Sequence, residues 1–514
     1  MRNKNSILIE GMKIDFSLIY VPLVSILVIS GILLAFPEQG TKYLNGIRNF
    51  LGNELGFVYI LAGLGIFLIS MGLAFSKYGS IKLGTIEKPR FSTFSWGAMI
   101  FTSTMAADIL FYSLIEWAYY YQEAPFAMSQ MDLGRKQDWA STYPLFHWGP
   151  IPWSIYILPA VAYAYMFFVK GRNRQRMSEA CRPLLGKKVD GILGKCIDLF
   201  AIIGLLAGTT TTFSLTAPLF SELISQLTGI APGKHLSVIV LIAIMFVFTM
   251  AVVMGLKGIA KVASGCVYFF GALLLLFFIG GPSRYIIETG VSAIGNMVQN
   301  FFSMATWMDP LRLSGDGHSG FPQNWTIFYW SYWIAWSVAT PFFIGKISEG
   351  RTIKQTIIGA NIAGLSSTFL SFIVFGGFGL YQQVSGNLDI VGALQQGETA
   401  SNVIVSIFTC LPLPRMGMII FIIAMVLFYA STFDALTLVI SQYCYKQLND
   451  GEETSKGLRV FWSVAFIVMP IAFVLIESDL QLLQALSICA AFPLLIILLI
   501  IIFSFLKMLR ETQE

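Results

Sequence analysis

Residues 325–336 read WTIFYWSYWIAW and hold four of the eleven tryptophans in the chain, together with Phe328, Tyr329 and Tyr332. On a helix, Tyr329, Trp333 and Trp336 fall at i, i+4 and i+7 and line one face, with Trp325, Phe328 and Tyr332 as a neighbouring stripe. What so many flat, electron-rich faces could do depends on the solvent around them. The chain is 56% apolar and 12% charged over 514 residues, with a mean hydropathy of +0.72. A soluble domain carries about twice that charged share.

Working outward from 325–336, apolar runs long enough to cross a bilayer, roughly 20 residues each, recur from end to end. They predict an all-α polytopic membrane protein with spans at 16–36, 56–76, 93–122, 146–170, 193–227, 236–256, 263–281, 325–346, 357–381, 414–444, 459–477 and 482–507. A closed barrel is excluded, because barrel strands alternate apolar and polar residues and these runs are continuously apolar. The first run is too long for a signal-peptide core and no small-residue cleavage site follows it, so it is expected to remain as a helix. Lys and Arg gather at 2–13, 77–90, 170–188, 446–459 and 507–510, whereas 382–413 has none. The positive-inside rule then places both termini in the cytoplasm, in a cell (cytoplasmic, or inner) membrane. The net charge of +5 reflects that topology, and nothing points to nucleic acid.

Between spans, SRYIIETGVSAIGNMVQNFFSMATWMDP (283–310) has apolar residues at helical spacing and predicts an amphipathic helix on the outer membrane surface. The loop near 382–413 is expected to be partly helical, and ISEGRTIKQT (347–356) to be a short polar link. The three histidines, His147, His235 and His318, share no helical turn, and the six cysteines show no metal-ligand spacing. No GxxxxGK[ST] stretch supplies an ATP motor, and no nucleophile–base set suggests an enzyme. A carrier or a channel remains.

An aromatic belt at the membrane interface accounts for about one turn of tryptophan and tyrosine, but the array at 325–336 runs for three. The alternative is a cage for an organic cation. A quaternary ammonium has no N–H to donate, and aromatic faces hold it by cation–π attraction, up to about 2 kcal/mol each when desolvated. One helix cannot enclose a ligand, so further aromatics are required. HWGPIPWSIY (147–156) offers Trp148, Trp153 and Tyr156, and EWAYYY (116–121) offers Trp117, Tyr119, Tyr120 and Tyr121.

NWTIFYWSYWIAW followed by ISEGRT resembles the signature of the betaine/carnitine/choline transporter (BCCT) family, and HWGPIPW and DILFYSLIE resemble that family's fourth and third helices. The resemblance covers essentially the whole chain. It implies two inverted five-helix repeats of LeuT-like architecture, spans 3–7 (93–281) and 8–12 (325–507). A tail and two extra helices (1–92) precede them, a surface helix and loop (282–324) joins them, and a short tail (508–514) follows. It also implies a homotrimer in membrane lipid, and a cage of Trp148, Trp153, Tyr156 and Trp333. Tyr119 matches a cage tyrosine of the carnitine branch, and Trp336 lies one turn below Trp333. Tyr332 departs from the pattern, which more often has a second tryptophan; its hydroxyl could suit a substrate oxygen.

Asp108 sits mid-span in TSTMAADILFYS, where a carboxylate is costly and functional by default; the alternative is a protonated side chain bonded to a neighbouring helix. The family's betaine carriers have glycine there, and aspartate resembles the proton-coupled choline branch, although TMAAD lacks that branch's glycine-rich stretch. Choline is thus favoured over betaine or carnitine. Glu116 and Asp434 are expected to make helix-to-helix bonds outside the cage. By resemblance, Phe428, Ser431 and Thr432, with Thr102 and Met105, match the sodium site of the sodium-coupled betaine carrier. Val267 aligns where the sodium-independent carnitine antiporter has an arginine, which argues for sodium or proton coupling and against substrate/product exchange. No cofactor is expected beyond that coupling ion. Osmosensing carriers of the family have long charged tails, and the sequence ending KMLRETQE suggests metabolic uptake instead.

Overall fold

A computed structural model describes residues 14–103, 106–123, 125–127, 132–254, 256–315, 318–446 and 454–511, with backbone alone at 251–263. Among the described residues every regular element is helical, apart from two isolated backbone bridges. The longer helices are α1 (Ser17–Ala35), α2 (Pro37–Asn49), α3 (Gly56–Phe75), α4 (Thr93–Ser103), α5 (Ala107–Gln122), α6 (Leu133–His147), α7 (Pro150–Phe168), α8 (Ile192–Thr228), α9 (Lys234–Met254) and α10 (Leu256–Ile279). They continue as α11 (Ser283–Thr306), α12 (Ile327–Trp336), α13 (Thr340–Ile347), α14 (Ile353–Ser371), α15 (Gly377–Val384), α16 (Ala400–Thr409), α17 (Pro414–Tyr443), α18 (Lys456–Leu475) and α19 (Leu480–Glu511).

Eight of these segments are long and apolar enough to cross a membrane, and ten when two bent pairs are each taken as one span. Of the twelve expected spans, the other two are also helical. One is α9. The other is the pair α12 and α13, interrupted at 337–339. A local feature favours the interruption: Pro341 has no N–H to offer the carbonyl of Ser337, and its ring crowds that carbonyl. The halves then find different neighbours, α13 packing on α7 and α12 on α19.

The two bent pairs are equally informative. α4 and α5 are inclined by 67°, and Ala106 is extended, so α5 starts abruptly near the middle of the expected span 93–122. α10 turns into α11 through 105° at Gly280–Pro282. α11 is the amphipathic helix expected from the sequence: Ile286, Ala293 and Met297 are buried, while Ile287, Val291, Val298 and Phe302 are exposed on another face.

Hydropathy missed two helices. α6, with Arg135, Lys136, Gln137 and Asp138 in its first turns, is too polar to read as a span, yet it leads directly into α7. α2 is short and polar and packs on α19, with Arg48 reaching Asn324 Oδ1 (3.2 Å) and Gln484 Oε1 (3.3 Å). The link 347–356 is also more than a spacer. Leu83 N–H donates to Arg351 O (2.8 Å) and Gly350 N–H to Leu83 O (2.6 Å), while the Arg351 guanidinium lies 4.2 Å from the centre of the Trp96 ring. Gly350 has φ +83°, and a Cβ there would also meet Ile86 and Pro89 at 2.9 Å, so only glycine turns this corner without strain.

Candidate functional site

The site begins where α6 ends. Trp148 is the last, non-helical residue of α6, Gly149 is extended, and Pro150 and Pro152 open α7, where their missing N–H groups cost nothing. Trp153 and Tyr156, three residues apart, then share a face of α7. Trp153 lies flat on Gly364 of α14, where a Cβ would come within 2.4 Å of the indole, so the close approach needs glycine. Opposite stands Trp333 of α12. Its ring centre is 4.6 Å from Tyr156, 5.5 Å from Trp148 and 5.6 Å from Trp153, with interplanar angles of 49°, 65° and 62°.

All four side chains are buried, and the indole N–H groups of Trp153 and Trp333 have no acceptor among the described residues. Trp333 meets Trp148 and Trp153 edge to face and Tyr156 at a tilt. A cation held within about 6 Å of several ring centres needs them to part slightly. Trp148 is backed by Phe372 at 5.2 Å.

The other expected residues divide into two groups. Tyr332, beside Trp333 in sequence, turns its hydroxyl away from the four rings to Asp108 Oδ2 (2.5 Å) and Thr212 Oγ1 (2.5 Å). Asp108 Oδ1 accepts the N–H of Ile109 (3.0 Å) in the first turn of α5, and no Lys, Arg or His pairs with this buried carboxylate among the described residues. Trp336 packs against Gly208 of α8 and lies 6.4 Å from Tyr332. Tyr119 is elsewhere. It stacks on Trp325 at 5.0 Å near the end of α5, and Trp325 donates to Glu123 Oε2 (2.7 Å).

Glu116 was expected outside the cage, and its contacts correct that placement. It is buried two turns beyond Asp108, accepts the indole N–H of Trp148 at Oε2 (2.8 Å) and the Tyr120 hydroxyl at Oε1 (2.7 Å). Tyr120 also meets His147 Nδ1 (2.7 Å), and His147 Nε2 meets Thr326 Oγ1 (3.0 Å). Tyr120 has one proton. If it goes to Glu116, a neutral His147 donates from Nδ1 and accepts from Thr326, and every group is satisfied. The spacing of Glu116 and Tyr120, i and i+4, was the available signal; the partner on α6 was not.

The residues matched to a sodium site are not joined by any hydrogen bond among the described residues. The Thr102 hydroxyl is used within its own helix, on the carbonyls of Ala98 (2.9 Å) and Met99 (3.2 Å), and α4 packs chiefly on α14. Met105 lies outside the described residues. Phe428 is buried beside Phe270 (6.1 Å), and Ser431 and Thr432 are half-buried on α17. Val267 is 43% exposed on α10. Asp434 does bond between helices, to Arg459 of α18.

Comparison with known proteins agrees with this architecture. The family model described as "BCCT, betaine/carnitine/choline family transporter" matches residues 17–514. The chain is 32% identical over 461 residues to a protein of Acinetobacter baumannii named carnitine transporter, covering 88% of this chain and 81% of that protein. It is 30% identical over 484 residues to a probable glycine betaine transporter of Desulfitobacterium hafniense, covering 92% and 93%. It is also 30% identical over 451 residues to the uncharacterized transporter YeaV of Escherichia coli, covering 86% and 92%. With the match running through the helices that carry the four rings, the chain belongs to the betaine/carnitine/choline transporter family.

Proposed function

We propose that this protein is a secondary carrier that takes up a quaternary ammonium compound by ion-coupled alternating access, with twelve spans arranged as two inverted repeats and three copies per assembly. The observation that carries it is the convergence of Trp148, Trp153, Tyr156 and Trp333, from the α6–α7 corner and from α12, onto one buried point. These rings offer π-faces and no cationic competitor, which suits a trimethylammonium group. Glu116 adds to this from behind: a carboxylate on the Trp148 N–H draws the positive edge of the indole toward itself and enriches its face.

Selection among quaternary ammonium compounds falls to Asp108. A helix that begins inside the membrane has a positive end, suited to the carboxylate of a zwitterionic substrate. Here the chain's own carboxylate takes that place on the Ile109 N–H. A second carboxylate, such as that of carnitine or glycine betaine, meets repulsion, whereas choline brings only a cation and a hydroxyl. The coupling ion is sodium or a proton, and no step is routed through the Thr102–Thr432 set.

Uptake of labelled choline and glycine betaine into empty proteoliposomes, with and without an inward sodium gradient or a proton gradient, tests both parts. Gradient-driven accumulation with choline preferred is expected. Uptake seen only after preloading with a related compound replaces ion coupling by exchange. In Asp108→Gly the preference should move at least about tenfold toward glycine betaine; an unaltered ratio makes Asp108 structural.

A further inference from the structure

The Asp108 carboxylate is held from across the molecule by a chain of hydroxyls. Tyr332 of α12 has one proton and donates it to Asp108 Oδ2 at 2.5 Å. Its oxygen is then free to accept from Thr212 Oγ1 of α8, also at 2.5 Å. The usual alternative for a threonine in a helix, its own i−4 carbonyl, is Gly208 O at 3.4 Å, the longer of the two. The bonds therefore run in one direction, Thr212 to Tyr332 to Asp108, and each donor polarises the next. Thr216 extends the contact, donating to Thr212 O (2.8 Å) and bonding Tyr429 of α17. All these residues are buried.

The groups that face Asp108 are Tyr112 on its own helix, Tyr332, and at electrostatic range Tyr156 of α7 and Tyr429 of α17. Because Tyr332 neighbours Trp333, the acid and the aromatic seat for the cation are fixed to the same turn of α12.

We infer that Tyr332 and Thr212 are positioning residues that orient the Asp108 carboxylate and thereby set discrimination between a plain quaternary ammonium and a zwitterion. The inference rests on Asp108 being the selector under the proposed function. Tyr332 acts through the acid and does not touch substrate, so its effect requires Asp108.

A double-mutant cycle in proteoliposomes tests this, read as the ratio of kcat/KM for labelled choline to that for glycine betaine. Tyr332→Phe should lower the ratio about tenfold, the scale of a hydrogen bond to a charged group, chiefly by raising KM for choline. Thr212→Val should lower it about threefold, and Thr212→Ser should restore it. In an Asp108→Gly background, Tyr332→Phe should change nothing further. If Asp108→Gly shifts the ratio and Tyr332→Phe does not, positioning is overturned and Asp108 remains the selector. If the Tyr332→Phe effect persists without Asp108, Tyr332 touches substrate directly and positioning is again overturned. If Asp108→Gly leaves the ratio unmoved, the selector falls and this inference with it. Should Tyr332→Phe fail to yield folded protein, the Thr212→Val and Thr212→Ser pair decides.

Discussion

Asp108 and Asp434 are both aspartates within apolar helices, and their surroundings differ in one respect. Asp434 is joined to the guanidinium of Arg459, on the helix that follows in sequence, so its charge is compensated within the protein. Asp108 has hydroxyls and an N–H around it and no cation among the described residues. A buried charge is expensive unless paired. Where the chain supplies the partner, the acid fastens helices; where it does not, the missing partner is a natural place for a cationic substrate. The same sequence motif, an acid in a span, thus has two different surroundings, and under the proposed function the neighbour decides its use.

The largest effect should come from removing the seat and leaving both acids alone. Trp333→Leu takes away the ring that all three others touch and should weaken binding at least about thirtyfold, measured by tryptophan-fluorescence titration on protein that still elutes as a single species. Unchanged affinity would move the cation site away from the four rings. Next are the paired neutralisations. Asp434→Asn strands Arg459 and should cost roughly 3–5 kcal/mol of stability, seen as a lowered Tm with the choline-to-betaine ratio intact. Asp108→Asn should do the reverse: it strands no guanidinium, so the stability loss should be smaller, about 1–2 kcal/mol for turning the amide NH2 toward the Ile109 N–H while its oxygen accepts from Tyr332, with the ratio disturbed. Equal thermal losses in the two variants would erase the distinction. The smallest effect is expected for Glu116→Gln. It replaces one of the two acceptor oxygens behind Trp148 and Tyr120 and leaves the ring in place, so choline affinity should fall about fivefold, roughly 1 kcal/mol. A fall matching that of Trp333→Leu would mean that Glu116 holds the whole site open.

Much of this was legible before any coordinates. Apolar runs located the helices, because length and continuity decide spanning, and three turns of aromatics named one side of the four-ring cluster. The motif HWGPIPW supplied the other. Polar helices were invisible to the same test, as α2 and α6 show. Periodicity also cannot choose partners across the fold. It put Tyr119 on the right helix but could not show that its ring stacks on Trp325, and it could not bring Glu116 to Trp148, 32 residues away. Tyr332 was singled out as a departure from the family pattern, yet its hydroxyl proved to face the acid. The position of Val267 on the outside of its helix was likewise a tertiary fact.

The interruption at 337–339 makes one span into a joint between two bodies. α12, which carries Trp333, packs chiefly on α19, while α13 packs chiefly on α7, which carries Trp153 and Tyr156. The two sides of the four-ring cluster touch through Trp333, and along the chain α12 and α13 are joined by three residues outside either helix. Pro341→Ala, which allows the helix to run through, should reduce the uptake rate several-fold at unchanged equilibrium affinity. Loss of affinity instead would make the break a structural kink, with no hinge in it.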